Sequence, residues 1–293
     1  MGIKVGVQIH AKPEIYEQIK FARSLGFDNT QLLVWDMSLY TDAFADEVNR
    51  ACRDFDFKIT GLWCGWFKTG MFAYPEMYET IGFIPVATRH QRMLDMLKGA
   101  EFARKIGVED IITHMGFLPD DPNDEDRLGA MVTIKHICKT IAPYGQRFLF
   151  ETGEELPISL VQFIKSIGED IIGINLDPAN MLINGRGNSY DSLCMFAPYV
   201  RGFHAKDGVY PKDGAPKGHE VLVGTGEANF PKLIDKLTEI GYDGYLSIER
   251  EIKEGDQRNA EIIKTKKYLE SLIKKSARKY KLKKFFKSLF KKD

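Results

Sequence analysis

Eight short runs rich in β-branched and aliphatic residues recur along the chain, each followed by a stretch with helical periodicity. The runs cover 3–9, 29–34, 57–63, 109–114, 147–151, 171–177, 200–205 and 244–249. Most are near-continuously apolar, as expected for parallel strands buried on both faces. Between them, 13–25 sets Ile15, Ile19, Phe21 and Ala22 toward one side and stops at Gly26, a natural C-terminal cap. Residues 88–106 and 124–142 behave alike, and 229–240 opens with Asn-Phe-Pro and ends at Gly241. With a last helix at 256–275, the eight β-then-α units imply an α/β chain whose parallel sheet closes into a (β/α)8 TIM barrel. An open doubly wound sheet is the competing arrangement, but no G-x-G-x-x-G follows the first strand.

A chain of 293 residues suits one such barrel, expected over 1–273. No stretch approaches the ~20 apolar residues of a membrane span. The opening MGIKVGVQIH starts directly with strand-like alternation, so no signal peptide is expected. The cysteines (Cys52, Cys64, Cys138, Cys194) form no C-x-x-C pair and read as reduced thiols of a cytoplasmic protein.

The net charge of zero conceals an asymmetry. From residue 274 onward there are ten basic residues against Asp293, a charge of +9, which leaves −9 on the rest. In this tail, 274–293, Leu282, Phe285, Phe286, Leu289 and Phe290 follow helical spacing within a field of lysines. That is the pattern of a basic amphipathic helix, which could dock on the acidic body, on a neighbouring subunit or on an anionic surface. Residues 64–87, rich in Trp, Phe, Tyr and Met, form an unusually long connection after the third strand. It is expected as an ordered flap over the barrel mouth, with an extra packing layer or subunit contact as the plainer alternative.

Functional groups of such barrels gather at the C-terminal ends of the strands. Here those ends carry His10, Trp63, His114, Glu151, Asp177, His204 and Glu249. Carboxylates that terminate buried apolar strands are costly unless paired, and three crowded together repel. A divalent ion held by Glu151, Asp177, His204 and Glu249 would resolve the conflict. Three oxygens, one nitrogen and no thiolate favour Mn²⁺, Mg²⁺ or Co²⁺, with Zn²⁺ also possible.

The strings F-E-T-G at 150–153, N-L-D-P-A-N at 175–180, H-A-K-D at 204–207, V-G-T-G-E at 223–227 and S-I-E-R at 247–250 resemble the xylose-isomerase-like barrels grouped as sugar (phosphate) isomerases and epimerases. I-G-F-I-P-V-A-T-R at 81–89 and T-H-M-G-F at 113–117 fit the same pattern, and the resemblance spans about 3–270. It implies Glu151, Asp177, His204 and Glu249 as metal ligands. It also implies Glu151 and Glu249 as the acid/base pair that moves a C–H proton of a keto sugar or sugar phosphate through a metal-stabilised enediolate. Homo-oligomerisation is a further expectation from the resemblance. Some ketose 3-epimerases place an arginine shortly after the metal histidine, where this chain has Lys206 and Asp207. The H-x-K-D form resembles inositol-catabolic dehydratases as well, so a lyase or dehydratase acting on a keto sugar or inosose is the alternative.

Other groups are candidates for substrate contact. Lys206 could reach a substrate oxygen or simply pair with Asp207. His114 could hold a hydroxyl or orient a ligand. Trp63 and Trp66 could stack on a sugar face, and His10 opens on the same mouth. Asn180 reads as a helix cap, and V-G-T-G-E as a glycine loop without a Walker pattern. A related abasic-site endonuclease would need more than the six histidines present, and the acidic body disfavours nucleic acid as a partner. A complete ligand set disfavours a carbohydrate-binding barrel without catalysis.

Overall fold

The computed structural model describes residues 2–66, 68 and 70–289, with side chains through Lys283. From the N-terminus the chain builds β1 (Lys4–His10), α1 (Ile15–Ser24), β2 (Asn29–Val34), α2 (Asp42–Phe55) and β3 (Lys58–Cys64). There follow α3 (Met77–Thr80), α4 (Val86–Lys105), β4 (Asp110–His114), α5 (Glu125–Ile141), β5 (Arg147–Glu151) and α6 (Pro157–Ile167). Then come β6 (Ile172–Leu176), α7 (Pro178–Ile183), α8 (Ser189–Phe196), β7 (Val200–Ala205), β8 (Asp207–Val209) and β9 (His219–Val221). The chain ends with α9 (Phe230–Glu239), β10 (Tyr245–Ile248) and α10 (Asp256–Leu289).

Eight of these strands pair in parallel in the closed order β1-β10-β7-β6-β5-β4-β3-β2. Closure runs through β1 and β10, in register from Lys4 opposite Tyr245 to Val7 opposite Ile248. The expected barrel is therefore the observed one, with strand limits displaced by at most one residue. Strands such as Leu32, Val34, Ile111, Phe148, Ile174 and Phe203 turn buried side chains toward the helices, and this outer shell is the main core. A smaller cluster of Leu33, Trp63, Trp66, Met77, Ile81, Ile112 and Leu149 includes the apolar filling beneath the mouth.

Helix ends follow the local chemistry. Thr41 accepts from the Phe44 amide to open α2, and Asp124 accepts from Asp126 and Arg127 to open α5. Asn188 and Asn229 cap α8 and α9 in the same way.

Two features lay outside the expected pattern. β8 and β9 form a small antiparallel hairpin above β7, with Asp207 opposite Val221. The long connection after β3 contains the short helix α3 and docks on the body through the Phe83 amide, 2.8 Å from the Met115 carbonyl. Ile81 and Phe83 are wholly buried, whereas Met71, Phe72, Tyr74 and Tyr78 remain exposed.

α10 is unbroken for 34 residues, so the basic segment continues the last barrel helix. Lys279 pairs with Asp235 of α9 at 2.5 Å, and the Tyr280 hydroxyl donates to the Glu239 carbonyl at 3.1 Å. Leu282 is exposed. The side chains of Phe285, Phe286 and Leu289, and the whole of Phe290, lie outside the described residues. Among the described residues no helix is long and apolar enough to cross a membrane.

Candidate metal centre and substrate cavity

β5, β6, β7 and β10 end on adjacent positions around the mouth, and their C-terminal ends bring Glu151, Asp177, His204 and Glu249 together. One ligand atom from each lies within 4.8 Å of the others, and all four residues are buried. Ligands on opposite sides of one ion, bonded at roughly 2.0–2.4 Å, would be separated by at most about 4.8 Å.

Asp177 has two functions at once. Its Oδ1 caps α7, accepting from the amides of Ala179 at 2.8 Å and Asn180 at 2.9 Å, with Pro178 in the first turn. Its Oδ2 is buried and has no hydrogen-bond partner. The cap is locked to β5 by Thr152, whose hydroxyl donates to the Asp177 carbonyl and accepts from the Asp177 amide.

His204 is fully buried and held from below. Its Nε2 lies 2.7 Å from Gln31 Oε1 and 2.9 Å from Asn175 Nδ2, and Gln31 in turn donates to Asn175 Oδ1. A proton on Nε2 shared with Gln31 leaves the Nδ1 lone pair facing the carboxylates. Nδ1 stands 2.7 Å from Glu249 Oε2, 3.1 Å from Glu151 Oε1 and 3.6 Å from Asp177 Oδ2. Nδ1, Asp177 Oδ2 and Glu249 Oε2 are all buried without a hydrogen-bond partner. Three unpartnered polar atoms converging on one point are what a cation would satisfy. The residues present therefore fit a divalent ion.

Titration directions reflect the crowding. Burial lowers the His204 pKa, but the adjoining Glu151 and Glu249 outweigh it and hold the imidazole well above its ordinary value. For Glu249 the burial cost is overcome by Lys206 and His204, which keep the carboxyl well below the usual range. For Glu151 burial is likewise outweighed, by His204 and His114, and the pKa falls. Burial wins over Lys206 at Asp177, whose pKa rises. The cluster thus requires positive charge, supplied by a proton or by a metal.

Above the cluster opens a cavity of about 190 Å³. Trp35, Trp63, Phe72, His114, Lys206 and His10 are on its walls. The Trp63 indole donates to Glu151 Oε2, and Asn180 Nδ2 donates to Oε1 at 3.3 Å. His114 sits between two glutamates, with Nδ1 3.2 Å from Glu154 and Nε2 3.8 Å from Glu151. Burial pulls its pKa down, but Glu154 and Glu151 carry it up to about 10.

Three sequence readings change here. Lys206 does not pair with Asp207. Its ammonium is buried against Glu251 at 3.0 Å, Glu249 at 3.2 Å and Asp177 at 3.9 Å. Asn180 is more than a helix residue beside a cap, since its side chain bridges Glu151 and Lys206. Trp66 does not line the cavity; it is buried behind Trp35 and Trp63, with Arg92 over its ring. His10 does line it, and burial lowers its pKa.

The sequence reading passed over Gln31, Asn175, Trp35, Phe72, Glu154, Lys217 and Glu251. Trp35 and Glu154 lie one and three residues beyond their strands, so a wider window at each strand end would have found them. Gln31 and Asn175 are polar residues interrupting apolar strands, a signal visible but unassigned.

A second cavity, about 400 Å³, lies behind β1 and is lined by Phe21 and Ala22 of α1 and Arg258 and Ile262 of α10. It is larger, but it reaches only Gln8 and His10 of the mouth and none of the four clustered residues.

Glu155, beside Glu154, is driven up to about 8 by burial and then by the Glu154 charge. Between its ordinary 4.5 and 8 the folded state keeps a proton that the unfolded state releases, so stability falls as pH rises through that window. Glu155→Gln removes the cost while keeping the shape. Its melting temperature is expected to match wild type near pH 4.5 and to exceed it by a margin that grows toward pH 9. A difference independent of pH in thermal denaturation would count against buried ionisation as the cause.

A closed parallel barrel with a carboxylate–imidazole cluster at its strand ends defines a TIM barrel with a candidate metal centre. Residues 19–272 match the family described as xylose isomerase-like TIM barrel, and the chain belongs to it. An uncharacterised protein of Methanocaldococcus jannaschii is 27% identical over 193 residues, covering 62% of this chain and 64% of that relative. A xylose isomerase domain protein from Planctomyces limnophilus superposes with a TM-score of 0.86 at 27% identity, over 94% of this chain and 99% of that one. A xylose isomerase-like barrel from Mycobacterium smegmatis, solved in complex with magnesium, gives 0.70 at 16% identity, over 93% and 97%. The 3-keto-D-glucoside 4-epimerase of E. coli gives 0.69 at 18%, over 92% and 99%.

Proposed function

We propose that the protein is a divalent-metal-dependent isomerase or epimerase of a keto sugar or sugar phosphate, working by proton abstraction. The observation that carries this reading is the convergence of three unpartnered buried atoms, Asp177 Oδ2, His204 Nδ1 and Glu249 Oε2, in a cluster whose Glu151 and Glu249 line a small cavity walled by aromatic side chains. Such walls suit the apolar face of a sugar ring, and the cavity is below the ~300 Å³ of pockets for larger ligands. The epimerase and the magnesium-bound barrel among the structural neighbours agree with both parts of the reading.

Glu151, Asp177, His204 and Glu249 would hold the cation, which when bound would supply Lewis-acid polarisation of a substrate carbonyl. The chain's own groups do the rest. Glu151 and Glu249 approach from strands separated by β6 and β7, so they face the cavity from different sides. One takes the proton from the carbon beside the carbonyl and the other returns one from the far side, which inverts that carbon. Lys206 holds Glu249 ionised, and Trp63 and Asn180 fix the orientation of Glu151.

The test is deuterium uptake. Metal-loaded and metal-free protein are incubated in D₂O with keto sugars, their phosphates and inososes, and C–H exchange and products are followed by NMR. Metal-dependent exchange is expected, with an epimeric or isomeric product. A dehydrated product would place the protein with the lyases, and absence of exchange in stoichiometrically metal-loaded protein would overturn the proposal.

A further inference from the structure

Barrels that bind phosphorylated substrates commonly hold the phosphate on the loops after strands seven and eight, using backbone amides and a helix N-terminus. In this chain the loop after the seventh barrel strand, β7, contains V-G-T-G-E at 223–227, whose amides would suit that purpose. They are already committed. Asp207 is buried, and its carboxylate accepts from four backbone amides. Oδ1 takes those of Gly208 at 2.9 Å and Ala228 at 3.1 Å, and Oδ2 takes those of Gly224 at 2.9 Å and Gly226 at 3.0 Å. Four donors on two oxygens use the full acceptor capacity of a carboxylate. The loop is shaped to this carboxylate. A Cβ at Gly226 would stand 2.3 Å from Asp207 Oδ1, and Gly224 has φ +90°.

We infer that Asp207 fills the position an anion would take and that the site therefore acts on an unphosphorylated keto sugar. The cavity walls agree. Among the described residues they include neither Gly224 nor Gly226, and no arginine. Of the two lysines on them, Lys206 is neutralised by Glu249 and Glu251, and Lys217 donates to the Phe72 carbonyl at 3.1 Å. A phosphate dianion would meet one unneutralised ammonium, that of Lys217, because Lys206 and His114 on the same walls are already paired with carboxylates. The N-terminus of α7, after the sixth barrel strand, is occupied as well, since Asp177 caps it.

This inference rests on the proton-abstraction reading, and its test separates the two. The metal-loaded full chain is assayed for deuterium exchange with matched pairs, each a free ketose and its terminal phosphate ester. The free sugar is expected to be preferred in kcat/KM by at least ~100-fold, the scale on which a site lacking polar partners rejects a buried charge. Equal or greater turnover of the phosphate ester overturns the inference and leaves the reaction class standing, whereas exchange with neither member overturns the reaction class itself. A second measurement concerns the loop. In Asp207→Ser the amides lose their anion, and millimolar inorganic phosphate is expected to raise the melting temperature of the variant by on the order of 5 °C more than that of wild type. An identical phosphate response in the two proteins would show that the loop amides do not form an anion cradle. Should the variant fail to fold, the paired-substrate comparison decides alone.

Discussion

Glu151→Gln is expected to lower metal-dependent C–H exchange by about 10²–10⁴-fold, the usual contribution of a positioned acid or base. The surroundings of Glu151 explain why so small a change has so large an effect. The Trp63 indole donates to one carboxylate oxygen and the Asn180 amide to the other, while His204 and His114 lower its pKa against the cost of burial. These four neighbours favour an ionised, acceptor-only group and outweigh burial and the nearby Glu249 carboxylate. Glutamine retains one oxygen and turns an NH₂ toward one of the two donors, so it can neither take a proton nor accept both bonds. Metal content is measured on the same sample, because Glu151 is also a candidate ligand. Exchange within tenfold of wild type, with metal retained, would remove Glu151 as the base and transfer that role to Glu249.

Removing the metal is expected to lower the melting temperature by on the order of 5–10 °C when the ion was present at about a hundred times its dissociation constant. The metal-free cluster must satisfy Asp177 Oδ2, His204 Nδ1 and Glu249 Oε2 without a cation, and burial already raises the Asp177 pKa. Asp177→Asn separates the contributions. It keeps Oδ1 for the α7 cap but replaces the oxygen that faces the cluster. The variant should therefore lose the metal-induced rise, and in the metal-free state it should melt no lower than wild type. Calorimetry with and without a chelator measures both. A variant that still gained the full stabilisation on adding Mn²⁺ would show that the ion binds elsewhere.

The barrel was legible because parallel strands buried on both faces read as uninterrupted apolar runs. NTQLLV at 29–34 was delimited to the residue, and IIGINLD at 171–177 to within one. The four clustered residues were legible for the same reason, since each is the first charged or imidazole group to end such a run. The hairpin of β8 and β9 was not, because DGV and HEV are three-residue strands without an apolar pattern. The place of Asp207 was hidden by its neighbours. Lysine beside aspartate suggests a surface pair, and only the return of residues 224–228 across the chain shows where the carboxylate is held. The support of His204 by Gln31 spans 173 positions, a distance no local window reaches.

The clustered charges come from β5, β6, β7 and β10, while β1 to β4 and the connection after β3 supply His10, Leu33, Trp35, Trp63, Phe72 and His114 to the cavity. The first half also steadies the cluster, since Gln31 of β2 holds His204, and Trp63 and His114 bear on Glu151. Substitutions at Leu33, Trp35 and Phe72, which line the cavity, would therefore change which molecule fits while leaving those supports in place.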